Sequence, residues 1–314
     1  MRTPPQDLTE AEVGAAVAAH WSAAAESIKY APIGFGSHHW VLTEATGRRW
    51  FVTADAVADS RDRLAELTAA LTTAYALRHH CGLEFVVAPL AGVDDQLLSI
   101  TGRYALALYP YLERVTDGRA DPQQLLTMII ALHATTPDVG DLAAVEDLTV
   151  RDRPNLEAVL DNPDTLRSAG PYAADFAKLV MDYQEPIRAA FDRHDAVAAT
   201  LGAEREMWVI THGEPKANNT MITASGPVLV DWDTVQVAPP ARDLWMMGSV
   251  DAYASLTGRD VPVEQLEFYR LRWDLKDLCG SARWFTGPHE RTTDTELAWQ
   301  GSITICHRLA TTSR

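Results

Sequence analysis

The sequence predicts an α+β protein of two lobes, a small antiparallel sheet followed by a larger helical part. Three observations lead there. Between residues 33 and 109, short apolar segments of strand character alternate with turn glycines and enclose a single helical stretch. Beyond residue 112 helical periodicity takes over. Inside that helical part lies one strand-rich interruption, 207–231, which carries most of the polar residues of interest. The chain has 314 residues, 47% of them apolar, enough for two lobes with their own cores.

Taken in order, residues 7–30 read as a helix, with Leu8, Val13, Val17 and Trp21 at helical spacing. Trp40–Thr43 and Trp50–Thr53 then flank a turn at Gly47, as a hairpin would. A helix is expected from Arg61 to His80, stopped by Gly82. Phe85–Ala88, Ala91–Ser99 and Tyr104–Tyr109 read as three more strands, the last two joined at Gly102. Residues 1–108 thus form the first lobe. Tyr109-Pro110-Tyr111-Leu112 is the expected hinge, because proline lacks an amide proton and suits a connecting segment. Residues 113–314 form the helical lobe. Its first helix starts at Pro122 behind Asp121 as N-cap. Further helices are expected near 172–198, 241–256 and 264–284.

The interruption reads Met207 to Thr211 as an apolar strand, then His212-Gly213-Glu214-Pro215-Lys216-Ala217-Asn218-Asn219 as a polar loop. A second strand, Pro227–Val230, delivers Asp231-Trp232-Asp233. Paired as a hairpin, the two strands would bring Asn219 and Asp231 together. That arrangement suits phosphoryl transfer. Magnesium takes oxygen ligands, one or two from carboxylates and the rest from phosphates and water, so Asp231 and Asn219 are the candidate metal ligands. Glu214 is placed to orient an attacking hydroxyl and accept its proton, and Lys216 to neutralise charge on the transferring group.

The loop resembles the kinase catalytic loop, His-x-Asp-x-x-x-x-Asn, matching at the histidine, the carboxylate two residues on and the asparagine seven residues on. Val230-Asp231-Trp232-Asp233 is similar to the metal-binding stretch of aminoglycoside and choline-type kinases, and Arg242-Asp243-Leu244 to the stretch whose aspartate braces the loop. On these residues the chain resembles the aminoglycoside phosphotransferase family, in particular its spectinomycin-phosphotransferase branch. The resemblance implies a two-lobed, protein-kinase-like fold and a magnesium-dependent transfer of the terminal phosphate of ATP or GTP to a hydroxyl on an antibiotic-like or metabolite acceptor. It implies a glycine loop at Gly34, Gly36, Ser37 and His38 around the phosphates, and Tyr109, Tyr111 and Leu112 at the base. An association with antibiotic resistance comes with the family name, but fold alone does not license it.

Two departures from the family pattern stand out. Glu214 occupies a place where the family carries aspartate, one methylene shorter. The strand that should end in a phosphate-binding lysine ends in Thr53, which leaves Glu66 on the next helix without its expected cation. Lys216 is one candidate for the missing charge, and His38 or His39 another, though an imidazole is mostly neutral near pH 7. These departures keep an alternative open: a pseudokinase that binds a nucleotide or metabolite for regulation, without turnover.

For the acceptor, the helix near 264–279 sets Glu267, Arg270, Asp274 and Asp277 on one side, opposite Phe268, Leu271, Leu275 and Leu278. Asp274 and Asp277 are candidate contacts for a cationic acceptor, with a solvated charged face as the plainer reading. The net charge of −16 permits a cationic partner and argues against nucleic acid. Scattered Cys81, Cys279 and Cys306, the lack of a long apolar run and an N-terminus without an apolar core point to the cytoplasm and away from a membrane. No nucleophile elbow, paired-histidine zinc motif or Walker loop is present.

Overall fold

The structure, a computed structural model, describes residues 1–57, 61–163, 169–203 and 205–312. The chain forms two compact units, Met1–Glu146 with Met207–Asp260, and Asp147–Glu206 with Val261–Arg314. This division differs from a break at 109–112. The strand containing Tyr109 runs on through Pro110, and the segment carrying the catalytic-loop motif belongs to the same unit as the sheet.

The first unit opens with helix α1 (Glu10–Trp21), whose Thr9 and Glu12 form a capping box. Ser22, at φ 56°, ends it. The helix expected to reach residue 30 therefore stops early, and Ser27–Tyr30 becomes strand β1. It pairs with β2 (His38–Thr43), which pairs through the Gly47 turn with β3 (Arg49–Ala56). After helix α2 (Arg61–His79), β4 (Ser99–Thr101) and β5 (Tyr104–Pro110) complete an antiparallel sheet of order β1-β2-β3-β5-β4. Two strand expectations shift here. Phe85–Ala88 makes only a single bridge, Val86 to Leu229, and the pairing expected from Ala91 begins at Ser99.

Alternation along the strands gives the sheet two apolar faces. Trp40, Leu42, Val52, Leu106 and Leu108 pack with Val13 and Val17 of α1. On the other face Ala105 and Ala107 pack with Leu67 and Leu71 of α2. α2 also turns Ala70, Ala74 and Leu77 toward Ile129 and Leu132 of α3 (Pro122–Ala134), and toward Ile210, Leu229 and Trp232. One helix thus touches both the sheet and the segment that carries the loop motif. α3 begins as expected, with Asp121 and Gln124 forming a capping box around Pro122.

Short α4 (Thr136–Val139) leads to β6 (Ala144–Val145). The second unit begins with α5 (Arg153–Asp161), α6 (Ala173–Asp182) and α7 (Gln184–Leu201). The chain returns to the first unit through β7 (Val209–Thr211), the hairpin β8 (Thr220–Thr223)–β9 (Gly226–Leu229), β10 (Gln236–Ala238), α8 (Ala241–Leu244) and α9 (Val250–Thr257). The hairpin differs from expectation: β7 pairs with β10, and β9 with β8.

The second unit is closed by α10 (Val263–Thr286) and α11 (Thr293–Thr312), packed with α5, α6 and α7 around Leu156, Phe176, Ile187, Leu275, Leu278 and Phe285. α5 and α11 had no counterpart in the sequence reading. Asp274 corrects it. Offered as a contact for a cationic acceptor or as part of a solvated face, it is buried, and Arg308 Nε and Nη2 donate to its two oxygens at 2.9 and 2.6 Å. Asp277 is exposed on the same helix. Among the described residues no helix is long and apolar enough to cross a membrane. Burial pushes the Cys279 and Cys306 thiols up to about 12, so both are inert packing groups.

Candidate active site

β7 delivers His212 into a frame of hydrogen bonds that fixes the loop backbone. Asp243 of α8 accepts from the His212 amide at 3.0 Å and the Gly213 amide at 2.6 Å. The same carboxylate meets the His133 ring at 3.1 Å, whose other nitrogen meets the Tyr253 hydroxyl at 2.9 Å. Burial alone would raise the Asp243 carboxyl. The His133 bond and the nearby charges outweigh it and hold the group below its ordinary value. Asp243 is therefore an anion that clamps the loop.

Gly213 is required twice over. Its φ of +96° lies in the left-handed region, and a Cβ there would sit 2.5 Å from the Arg242 guanidinium. That guanidinium donates to Thr211 Oγ1 and to the Thr234 carbonyl, both at 2.8 Å, and so ties β7 to the turn after Asp231.

The His212 ring is spoken for at both nitrogens. Nε2 lies 3.0 Å from the Val230 carbonyl, which can only accept, so Nε2 carries the proton. Nδ1 then accepts from the Glu214 amide at 3.1 Å. Burial lowers its basicity, so the ring is a neutral spacer between Glu214 and the strand end that leads into Asp231.

Around that spacer the four residues singled out in the loop converge. Lys216 Nζ donates to Glu214 Oε2 at 2.7 Å. Asn219 Nδ2 donates to the Glu214 carbonyl at 3.0 Å and to Asp231 Oδ2 at 3.2 Å. This leaves Asn219 Oδ1 and Asp231 as oxygens to offer a cation. Asp231 stands at φ +76°, a conformation that side-chain-bearing residues adopt seldom and mostly at functional sites. Trp232 beneath it is buried, its indole donating to Leu229 at 2.7 Å.

Asp231 touches solvent, yet the protein around it withholds enough water to raise its carboxyl, with the Glu214 charge adding to the effect. Asp233 is raised in the same way, by burial first and the Asp231 charge second. Burial and mutual repulsion outweigh the nearby Lys216 and Arg63 charges at these two carboxylates, and their hard oxygens suit magnesium. Among the described residues no three His, Cys, Asp or Glu side chains form a metal cage. A magnesium here would draw most of its ligands from phosphates and water.

The sheet supplies the other wall. Gly34 and Gly36 both adopt positive φ, and the loop is held by the Met1 ammonium, which donates to the Ile33 and Ser37 carbonyls. Ser37 Oγ donates to Asp55 at 2.7 Å. Asp55 lies two residues beyond Thr53 on the same face of β3. Arg63 of α2 reaches Asp55 at 3.4 Å and Asp233 at 3.3 Å. Ser37, Asp55, Arg63 and Asp233 thus form one chain from the glycine loop to the stretch that holds the candidate metal ligand Asp231. The sequence reading missed Asp55 and Arg63, and named Asp233 without giving it a role of its own. The signal available was the alternation that puts Asp55 on the Thr53 face.

The remaining expected residues divide. His38 faces the opposite side of the sheet, 3.0 Å from the Tyr30 hydroxyl among Trp40 and Tyr104, because strand alternation sets it with the α1 core. His39 takes the site face, stacked on Phe51. Burial and the N-terminal charge push it down to about 4, so it is neutral. Tyr109 lies in β5 opposite Phe51 of β3 and carries a phenol hydroxyl. Burial and the charges of Asp55, Asp233 and Asp231 raise it well above its ordinary value. Tyr111 lies under Arg49, 4.1 Å from ring to guanidinium, and Leu112 follows half-buried.

Residues 28–278 match the family of phosphotransferase enzymes to which the aminoglycoside phosphotransferases belong. The chain belongs to that family. Protein StrN of Streptomyces griseus is 30% identical over 231 residues, 70% of each chain. Among solved structures, spectinomycin phosphotransferase in complex with ADP and spectinomycin superposes with a TM-score of 0.72 at 13% identity, over 97% of this chain and 99% of that one. The microcompartment-associated aminopropanol kinase gives 0.59 at 12%, over 96% and 98%. Amicoumacin kinase with AMP-PNP and Ca2+ gives 0.57 at 11%, over 96% and 94%. At these identities the superpositions establish the kinase-like α+β fold.

Proposed function

We propose that this phosphotransferase moves the terminal phosphate of ATP or GTP, as its magnesium complex, to a hydroxyl of a small acceptor. The observation that carries the reading is the meeting of Glu214, Asn219 and Asp231 through Asn219 Nδ2, on a loop whose backbone is clamped by Asp243. Asp231 and Asn219 Oδ1 would hold magnesium, which when bound offsets phosphate charge. Glu214 orients the acceptor hydroxyl and takes its proton as the oxygen bonds the γ-phosphorus. The bond from that phosphorus to the bridging oxygen breaks, and the nucleoside diphosphate leaves. Lys216 holds Glu214 in one geometry, which offsets the freedom added by the extra methylene.

Names of similar proteins supply the acceptor class: spectinomycin, amicoumacin and aminopropanol are small molecules. The net charge of −16 favours a cationic one. Calorimetry with ATP and GTP, each with and without magnesium, tests the reading. Binding that strengthens with magnesium, and loses that gain in Asp231→Ala, is expected. Equal turnover in that variant and the wild type would exclude the assignment. Nucleotide binding with no transfer to any acceptor in a broad hydroxyl screen would favour the silent binder that Thr53 and Glu214 keep open.

A further inference from the structure

We infer that Arg63 binds the nucleotide phosphates in place of the lysine that β3 lacks, as the basic half of a strand–helix ion pair whose signs are exchanged. The inference rests on the phosphotransferase reading and deepens it. The resemblance implies a basic residue on the strand and an acidic one on the helix. The structure has the reverse: Asp55 on β3 and Arg63 on α2, joined at 3.4 Å. Thr53, at the expected lysine position, carries no charge to offer a phosphate.

Geometry places the guanidinium where phosphates would lie. It touches Asp233, two residues past the candidate metal ligand Asp231. Through Asp55 it is linked to Ser37 of the glycine loop, by a bond of 2.7 Å. It therefore stands between the two elements that a triphosphate must span. Glu66, one turn along α2, adds its negative charge to the field that holds the guanidinium.

Chemistry agrees with the placement. Arginine offers five donors in a planar fork and pairs with phosphate oxygens. Its Nη2 contacts the two carboxylates at 3.4 and 3.3 Å, at the long end of hydrogen-bond range. Lys216, another cation at the site, is bonded to Glu214 at 2.7 Å on the acceptor side of the reaction. A second cation on the sheet side completes the division of labour, one for the proton-accepting group and one for the donor phosphates.

The test compares wild type, Arg63→Ala, Arg63→Lys and the double variant Arg63→Ala with Thr53→Lys. Binding of adenosine, ADP and ATP, and of the guanosine series, is measured without magnesium. Arg63→Ala should weaken triphosphate binding about tenfold or more, the size of a charged hydrogen bond, and change nucleoside binding less than about twofold. Arg63→Lys should keep most of the affinity, and Thr53→Lys should restore it in the double variant. Equal losses for nucleoside and triphosphate would assign Arg63 to structure alone and overturn the inference. So would an unchanged triphosphate affinity. If Arg63→Ala does not fold, Arg63→Gln against Arg63→Lys makes the same comparison with length preserved. A wild type that binds no nucleotide would overturn both the phosphotransferase reading and this one. Binding with an indifferent Arg63 overturns this one alone.

Discussion

The two walls of the site are built on different principles. The wall at 212–233 is held by backbone amides: those of His212 and Gly213 on Asp243, and that of Glu214 on His212. The contacts that cross the wall at 37–63 run from side chain to side chain, Ser37 to Asp55 to Arg63. A frame made of amides constrains geometry whatever side chain it carries, so glutamate can stand where the family has aspartate. A frame made of ion pairs constrains only the sum of charge, so its members can trade places. The first wall keeps the family pattern with one methylene added; the second has exchanged the signs of its pair.

Attacking the amide frame should have the largest effect. Asp243→Ala leaves two loop amides and His133 without their acceptor inside the protein. We expect a loss of about 3–5 kcal/mol in urea unfolding and no measurable transfer. A folded variant with normal turnover would break the contrast between the walls.

Gly213→Ala comes next. It places a methyl 2.5 Å from the Arg242 guanidinium at φ +96°. A loss of about 2–4 kcal/mol is expected from steric and backbone strain together. A change below about 0.5 kcal/mol would mean the loop is softer than its hydrogen bonds imply.

Glu214→Asp sharpens the comparison, because it restores the family residue in a frame set for glutamate. Shortening the side chain withdraws it from Lys216 and from the acceptor hydroxyl. Turnover should fall about tenfold to a hundredfold, with nucleotide affinity unchanged, since misplacement by about 1 Å costs about that much. A rise in kcat would show that the frame does not compensate the longer side chain.

The smallest effect concerns the sheet wall and pH. His39 is neutral in the fold, with its basicity pushed from 6.5 down to about 4 by burial and the N-terminal charge. Below 6.5 the unfolded chain takes a proton that the folded chain refuses. Its contribution therefore erodes stability as pH falls from 6.5 toward about 4. His39→Gln should flatten that part of the profile. Urea midpoints at several pH values in this window decide it, and an unchanged slope would place the imidazole in water.

Local patterns were legible where local physics decides. The hairpin across Gly47, the capped helix at Pro122 and the loop from His212 to Asp231 follow from turn residues, capping chemistry and fixed spacing. Misreadings arose where tertiary contacts choose among local options. The helical spacing of Leu8, Val13, Val17 and Trp21 carries the first helix on to residue 30, but β2 offers ladder partners and makes Ser27–Tyr30 a strand. β9 could pair with either neighbouring strand, and the short link at 223–226 gave it to β8. His38 and His39 are adjacent and chemically identical, and only the sheet register decides which faces the site. Asp274 looked like a solvated acid until α11 brought Arg308 onto it.

Sequence by itself determined the fold class and the family, and it singled out Glu214, Lys216, Asn219 and Asp231, which the structure brings together, because spacing along a strand and a tight loop leaves their geometry little freedom. Only the tertiary structure decided where the cation on the sheet side comes from. Arg63 and Asp233 are 170 positions apart, and no periodicity links residues at that distance. They meet because α2 packs one face on the sheet and another on the loop-bearing segment.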